Sequence, residues 1–415
     1  MPHLSRRSVL AVAVAAPALI LASCAPTPPR DRPTPIGTPS PASPTVAPPA
    51  EGTAWPPAPV IDASFGPTGG HWPSRTPGPR EQFDQEVEVE ASWTAIASAI
   101  ADVQQTVQSG GRAVVRIRPG ALAGDGAGSS ASAVLNDVGT AGNDFRILVV
   151  PRDGVGTVTL ADSIRLEKVR GVSFVGIWNH PNSMVISASQ DVAWAWSKGQ
   201  AFNISANSSE PTADIEFVEC VTPDARLFDQ DAWAFRTAGQ PLDRVGVIGC
   251  YIAGSYKNDG SDAHTDTLQL SGDQPITGLL IKDSAIFAST NAAFIPFTYA
   301  SDIVFDHSLV VGGDRMLLRH PLPDGANDFS SGYPAAVNGA GSVDQMAAND
   351  SIFIGNVRGQ FVSSENTQTS LSDPPAASSG AFVSTPALSD ADAAWLDTEV
   401  PLPTDDVLRK IWTVT

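Results

Sequence analysis

Short runs in which apolar and polar residues alternate recur along most of the chain, and they align with one another. The aligned runs begin at Gly171, Asp191, Asp214, Arg244, Gly278 and Asp302, with a looser copy at Asp350. Their starts lie 20, 23, 30, 34, 24 and 48 residues apart. Each run carries two apolar residues at alternate positions: Val192/Trp194, Ile215/Phe217, Val245/Val247, Leu279/Ile281 and Ile303/Phe305. A small or polar residue follows: Ser197, Cys220, Cys250, Ser284, Ser308. One such unit cannot bury its apolar side alone, whereas stacked units cover one another. The pattern predicts an all-β chain folded as a right-handed parallel β-helix solenoid, one coil per repeat. A propeller blade needs about forty residues and four strands, a longer period than this one.

Upstream the period changes. Trp93, Ile96, Ile100, Val103 and Val107 are spaced by three and four, which places one apolar stripe on a helix. Ser92 is positioned to cap its start, and Gly110-Gly111 ends it. A strand follows around Val115 and Ile117, stopped by Pro119-Gly120, and residues 121–143 read as loop. The helix is expected to plug the N-terminal end of the solenoid, where open strand edges invite aggregation.

The first residues belong to neither pattern. Arg6 and Arg7 precede an apolar run over 9–22 that is too short for a confident membrane span. Ser5-Arg-Arg-Ser-Val-Leu10 resembles a twin-arginine export signal, and Leu21-Ala-Ser-Cys24 resembles a bacterial lipobox with Cys24 as the lipidated residue. A segment crowded with Pro, Thr, Ala and Ser follows, with little to bury and a preference for extended backbone. The expected organisation is a signal over 1–23, a Pro-rich disordered tether over 24–75, the β-helix over 76–390 and a C-terminal cap or tail over 391–415. The expected location is the extracytoplasmic face of the cell membrane, held there by lipid.

Composition narrows the partners. The formal net charge of −19 argues against nucleic acid, whose phosphates need a basic face. Of three cysteines, Cys220 and Cys250 fall at the same place in successive repeats, so their sulfurs should be neighbours, as a disulfide or as a stack of buried thiols. No C-x-x-C pair, G-x-S-x-G, P-loop or H-E-x-x-H is present.

Candidate chemistry concentrates in 259–270. Asp262, His264 and Asp266 fall within five positions on a loop leading into a strand near Thr267, with Leu268 and Leu270 inward and Thr267 and Gln269 outward. Such a trio can hold a cation, with Asp262 and Asp266 as candidate calcium ligands, or act as acid and base. The competing reading is a turn whose side chains cap backbone amides. Lys282 and Asp283 align with Asp306 and His307, so His307 beside carboxylates is a candidate base, or these residues form a surface ion pair of little energetic consequence. Arg315, Arg319 and His320 make a basic cluster suited to a substrate anion or to a structural pairing. Trp196 and Trp233 are candidates for stacking on sugar rings, whereas Trp194 occupies an inward slot.

The repeat resembles that of the pectate-lyase-like β-helix superfamily over roughly residues 85–365. Val304-Phe-Asp-His-Ser resembles the W-I-D-H-C segment of pectate lyases, and Asp262-Ala-His-Thr-Asp266 resembles their D-G-x-x-D calcium stretch, here in reverse order. Their R-x-P-x-x-R-x-G motif is absent. The resemblance implies a carbohydrate-active protein working on a linear polysaccharide as a lyase or glycoside hydrolase. On that activity the residues singled out above take these expected roles: His264 or His307 as base, Asp262 and Asp266 as cation ligands or acid/base pair, Arg315 or Arg319 as charge stabiliser, and Gln269, Lys282, Asp306, Trp196 and Trp233 as substrate contacts. A non-catalytic glycan-binding or adhesive surface lipoprotein is the alternative.

Overall fold

Six of the repeat-initial residues of the sequence pattern do the same mechanical task. In the computed structural model Gly171, Asp191, Asp214, Arg244, Gly278 and Asp302 all have φ between +52° and +76°. This left-handed turn suits glycine and short polar side chains, and it aims the chain into the next strand. The structure describes residues 65–123, 133–206, 210–297, 299–329, 334–339 and 345–413. The signal, Cys24 and most of the expected tether lie outside the described residues.

The strands stack as three parallel ladders, as the solenoid reading requires. The first runs through Gln190–Ala195, Thr212–Val218, Leu242–Ile248, Ile276–Lys282, Ala300–Asp306 and Met346–Asn349, with earlier and later strands extending it at both ends. The second includes Ser183–Ser187, Ala201–Ala206, Trp233–Thr237, Asp266–Gly272 and Ala292–Ile295. The third includes Val221–Thr222, Tyr251–Ile252, Ala285–Phe287 and Leu309–Val311. The register confirms the predicted interior columns: Val192, Ile215, Val245, Leu279 and Ile303 stack in one, Trp194, Phe217, Val247, Ile281 and Phe305 in the other. All are buried, so each coil supplies the apolar cover its neighbour lacks.

One alignment needs correction. Ile303 pairs with Met346 and Asp306 with Asn349, so the coil after Asp302 begins near Gln345. The run from Asp350 belongs to the third ladder, where Ile352 pairs with Leu309. The 340s lack the alternation of strong apolar residues that marks the other coils, which hid the true register.

Two corners of each coil are fixed and one varies. A single left-handed residue (Trp196, Glu219, Gly249, Asp283, His307 or Asp350) joins the first ladder to the third. Inside this corner Ser197, Cys220, Cys250, Ser284, Ser308, Ser351 and Thr367 follow, all fully buried. Their side chains link coil to coil: Cys250 Sγ accepts from Cys220 N at 3.3 Å, Ser284 Oγ from Cys250 N at 3.0 Å and Ser351 Oγ from Ser308 N at 3.0 Å. Cys220 and Cys250 are free thiols in this ladder. The connection from third to second ladder is the variable corner, short at 199–200 and long at 223–232 and 253–265. These insertions produce the longer sequence spacings of 30 and 34.

Helix α1 (Trp93–Gln108) buries Trp93, Ile96, Ile100, Val103 and Val107 against the first strands, as its stripe predicts. Ser92 is its N-cap residue, but its side chain makes no capping hydrogen bond. Helices α2 (Ala393–Glu399) and α3 (Asp405–Ile411) lie back along the coils, with Leu396, Leu408 and Trp412 buried. The folded part also starts earlier than the predicted boundary at 76. Phe65 is buried, and residues 65–75 bond to three of the corner and face carboxylates, Glu219, Asp283 and Glu216.

Candidate functional site

The long insertion at 223–232 rises beside the outer surface of the second ladder and makes a groove. Outward residues of three successive strands, among them Ser183, Asn203 and Arg236, form its floor, and Arg226, Phe228, Gln230 and Asp231 form its wall. The cavity is about 420 Å³, within the usual range for small-ligand sites.

One carboxylate, Asp231, lines it, and a second, Asp266, is buried behind it on the adjacent coil. Asp231 precedes the strand Trp233–Thr237, and Asp266 opens the strand paired with it. Asp231 Oδ1 accepts from the backbone N–H of Asp266 at 3.0 Å, and Oδ2 accepts from the Arg236 guanidinium at 2.9 Å. Asp266 Oδ1 accepts from Asn291 Nδ2 at 2.8 Å and Oδ2 from Gln269 Nε2 at 3.3 Å. Burial raises the pKa of both carboxyls. For Asp266 the nearby Asp231 charge adds to burial, and the pKa reaches about 7 despite the Asn291 and Gln269 hydrogen bonds. Asp231 lines the groove and has Arg236 to stabilise its charge, so of the two Asp231 is the one that favours the ionised form, while Asp266 titrates around neutrality. This is an arrangement for acid–base chemistry: two carboxyls that cannot both ionise cheaply, beside an open groove.

The predicted trio does not converge. Asp262 and His264 are exposed on the loop, whereas Asp266 is buried in the strand with both oxygens occupied. Asp262 and Asp266 therefore do not form a shared calcium cradle. Among the described residues no group of three or more His, Cys, Asp or Glu is placed to hold a metal. Thr267, expected to face outward, is buried and donates to Phe287 O at 2.6 Å. Gln269 does face outward, in contact with Asp266. His264 lines a second cavity of about 240 Å³ with Lys257, Thr290, Asn291, Asn327 and Asp328.

His307 lies in a different cluster, on the corner column. Its Nδ1 is 2.7 Å from Asp283 Oδ1, and Phe65 stacks on its ring. Asp283 Oδ2 is 3.0 Å from His71 Nε2, and His71 Nδ1 is 2.9 Å from Glu219. Glu219, fully buried, also accepts from the backbone N–H of Gly69 at 2.7 Å and from Trp412 Nε1 at 2.5 Å. Hydrogen bonds to Asp283 and Glu219 lift the His71 pKa to about 9, so it is a cation at neutral pH. This clasp holds residues 65–71 and the C-terminal helix to the coils. Lys282 and Asp306 form the outward ion pair at 3.0 Å, partly exposed, that the modest reading describes.

The basic cluster and the two tryptophans are also taken up by packing. Arg319, nearly buried, donates to Asp397 and Val400 O, and Arg315 donates to Ala391 O, so both grip the C-terminal segment. Burial lowers the His320 pKa to about 3, and its Nε2 is 2.9 Å from Tyr251 Oη. Trp196 is covered by Trp72 and donates to His71 O, and Trp233 is fully interior, donating to Thr222 Oγ1. Neither offers a face to a sugar. The sequence reading missed Asp231, Arg226, Phe228 and Arg236. Their one signal was that 223–232 is a polar insertion in the same corner as 253–265.

No protein-family model matches the chain, and no curated protein matches it in sequence. Two solved structures resemble it weakly. The catalytic domain of a GH87 alpha-1,3-glucanase, in complex with tetrasaccharides, is 11% identical over 72% of this chain with a TM-score of 0.30. The chain spans 60% of that domain's length. The Azotobacter vinelandii mannuronan C-5 epimerase AlgE6 A-module is 11% identical over 71% of this chain and 92% of its own, with a TM-score of 0.23.

Proposed function

We propose that the protein is a carbohydrate-active enzyme that cleaves a linear polysaccharide by acid–base chemistry at Asp231 and Asp266. One observation carries the reading: a carboxyl lining a groove on the outside of a solenoid, with a second buried behind it on the adjacent coil and the pKa of both pushed up. A paired acid and carboxylate is the equipment of glycoside hydrolysis. Asp231, ionised and on the groove wall, is the group that meets the substrate or an attacking water. Asp231 takes a proton from the attacking water as it adds to the anomeric carbon, and passes it to the glycosidic oxygen that leaves; Asp266, buried behind it and held by Asn291 and Gln269, tunes the Asp231 charge through space. Phe228 gives the wall an aromatic surface for a sugar ring.

The same proposal covers the setting. The twin-arginine-like signal and Cys24 suit export and lipid anchoring, and the Pro-rich segment suits a spacer between membrane and enzyme. A panel of polysaccharides tested with the full chain, read for reducing ends and for absorbance at 235 nm, checks the activity. New reducing ends without unsaturated product are expected, and Asp231→Asn and Asp266→Asn should each remove them. Unsaturated product would make it a lyase. Binding without cleavage, or cleavage untouched by both substitutions, would overturn the assignment.

A further inference from the structure

The groove contains a cation that no carboxylate among the described residues neutralises. Arg226 sits on its wall, in the short strand Arg226–Leu227 that pairs with Ser255–Tyr256. Its guanidinium stacks over the Phe228 ring, 4.1 Å from the centroid. Among the described residues its side chain has no carboxylate or carbonyl partner. Its neighbours differ. Arg236 in the same groove is engaged by Asp231, and Arg244 on the first ladder is engaged by Asp214 and Asp243.

The contrast is informative because acid is plentiful, with 44 Asp and Glu against 25 Lys and Arg. A half-buried cation without a counter-charge costs stability, and evolution of an acidic chain had partners to offer it. Burial alone pulls the Arg226 pKa down to about 10, so it stays charged at neutral pH. Stacking on Phe228 uses the flat face of the guanidinium and leaves its N–H edge for an oxyanion, the geometry in which arginine binds carboxylate or sulfate bidentately.

We infer that Arg226 and Phe228 form a subsite for a sugar carrying an anionic substituent, a carboxylate or a sulfate, so that the groove selects a charged glycan over a neutral one. This rests on the reading of the groove as a glycan site. The overall negative charge of the protein repels a polyanion at long range, and Arg226 supplies the local attraction that offsets it. The second cavity flanks the same carboxyl pair on the next coil, since Asn291 lines it and donates to Asp266. A linear chain bound at Arg226 can therefore continue along the solenoid axis past Asp231 towards Lys257 and His264.

Titration calorimetry of the full chain against three hexasaccharides tests this: a polyuronate, a sulfated galactan and a neutral glucan. At 50 mM NaCl one charged hexamer should bind at least tenfold more tightly than the neutral one, and which of the two does so identifies the substituent. The advantage should shrink at 500 mM NaCl and vanish in Arg226→Gln, with Arg226→Lys keeping part of it. Equal binding of neutral and charged hexamers by the unmodified protein would sink the inference and leave the glycan site standing. A preference that survives Arg226→Gln would also sink it. Failure of all three to bind would remove the glycan site itself.

Discussion

Two pairs of carboxylates sit on the outside of this solenoid in opposite circumstances. Glu219 and Asp283 lie two coils apart on the fixed corner, and the protein fills the space between them with its own His71. Gly249, on the coil between, has φ +62°, and a Cβ there would come within 2.4 Å of the His71 ring, so that corner is kept bare for it. Asp231 and Asp266 lie one coil apart at the variable corner, and no histidine or lysine joins them. One pair is satisfied, its charges neutralised and its hydrogen bonds supplied by backbone, indole and imidazole. In the other, Arg236 serves Asp231 alone, and among the described residues no cation bridges it to Asp266. Strain kept at one pair and relieved at the other is what separates a site from a brace.

The largest effect expected from this contrast is on catalysis. Asp231→Asn should lower turnover by about 10²–10⁴-fold, the usual contribution of a general acid or base, with little change in melting temperature. Asp266→Asn should do the same while melting higher than the parent at pH 8, because it removes an ionisation that burial disfavours. Steady-state rates and thermal melts on the same preparations separate the two. A parent-like rate for Asp231→Asn would erase the distinction between the pairs.

The clasp should answer the other way. Glu219→Ala leaves His71, three backbone N–H groups and Trp412 Nε1 without their acceptor. A loss of about 3–5 kcal/mol in stability is expected, as for breaking a buried ion pair from one side. Turnover per folded molecule should not change. Gly249→Ala should weaken the same region by displacing the ring, with increased proteolysis near residues 65–71 as its readout.

Titration gives a third, smaller separation. His71 has a folded pKa raised above its unfolded value, so its contribution is complete below pH 6.5 and is lost as pH rises through about 9. Asp283, though burial acts to raise its pKa, is held below the usual carboxylate range by His71 and His307. Its contribution is present above pH 3.8 and is lost on acidification through its lowered folded pKa. Asp266 runs the other way: its folded pKa exceeds the unfolded value, so the folded state binds the extra proton and stability falls from pH 3.8 to about 7. Melting temperature against pH should show both slopes. Asp266→Asn should flatten the acidic-to-neutral slope, and His71→Gln the alkaline one together with part of the Asp283 contribution at acid pH.

The stacked architecture was legible because the interior columns repeat in hydrophobicity, and a parallel coil turns such a repeat directly into contact. Residues such as Ile215, Val245 and Leu279 need no long-range information to be placed. The site was legible by half. Asp266 and Gln269 stood out in a polar run, but their partner Asp231 sits in an insertion without a repeat to align it, and the groove exists only because that insertion folds over a neighbouring strand. His307, Arg315, Arg319, Trp196 and Trp233 looked chemical for a related reason. What occupies them comes from segments at 65–72 and 391–412, or from interior packing, and no local spacing links those segments to the coils they cover.

The smallest effect belongs to a feature on which sequence and structure agree. Cys220 and Cys250 stand in a buried ladder whose other positions are Ser197, Ser284, Ser308, Ser351 and Thr367. Cys220 Sγ approaches Trp194 O at 3.2 Å, as Ser284 Oγ approaches Val247 O at 3.2 Å. A hydroxyl can therefore replace the thiol without orphaning a backbone group. The stronger hydrogen bond offsets the smaller volume, so Cys220→Ser should change stability by less than about 1 kcal/mol. Cys220→Val keeps the bulk but removes the side-chain donor to Trp194 O, and should cost roughly 1–3 kcal/mol. Denaturant melts of the two variants decide the matter: if Val is tolerated better than Ser, the ladder is held by packing, and its coil-to-coil hydrogen bonds are incidental.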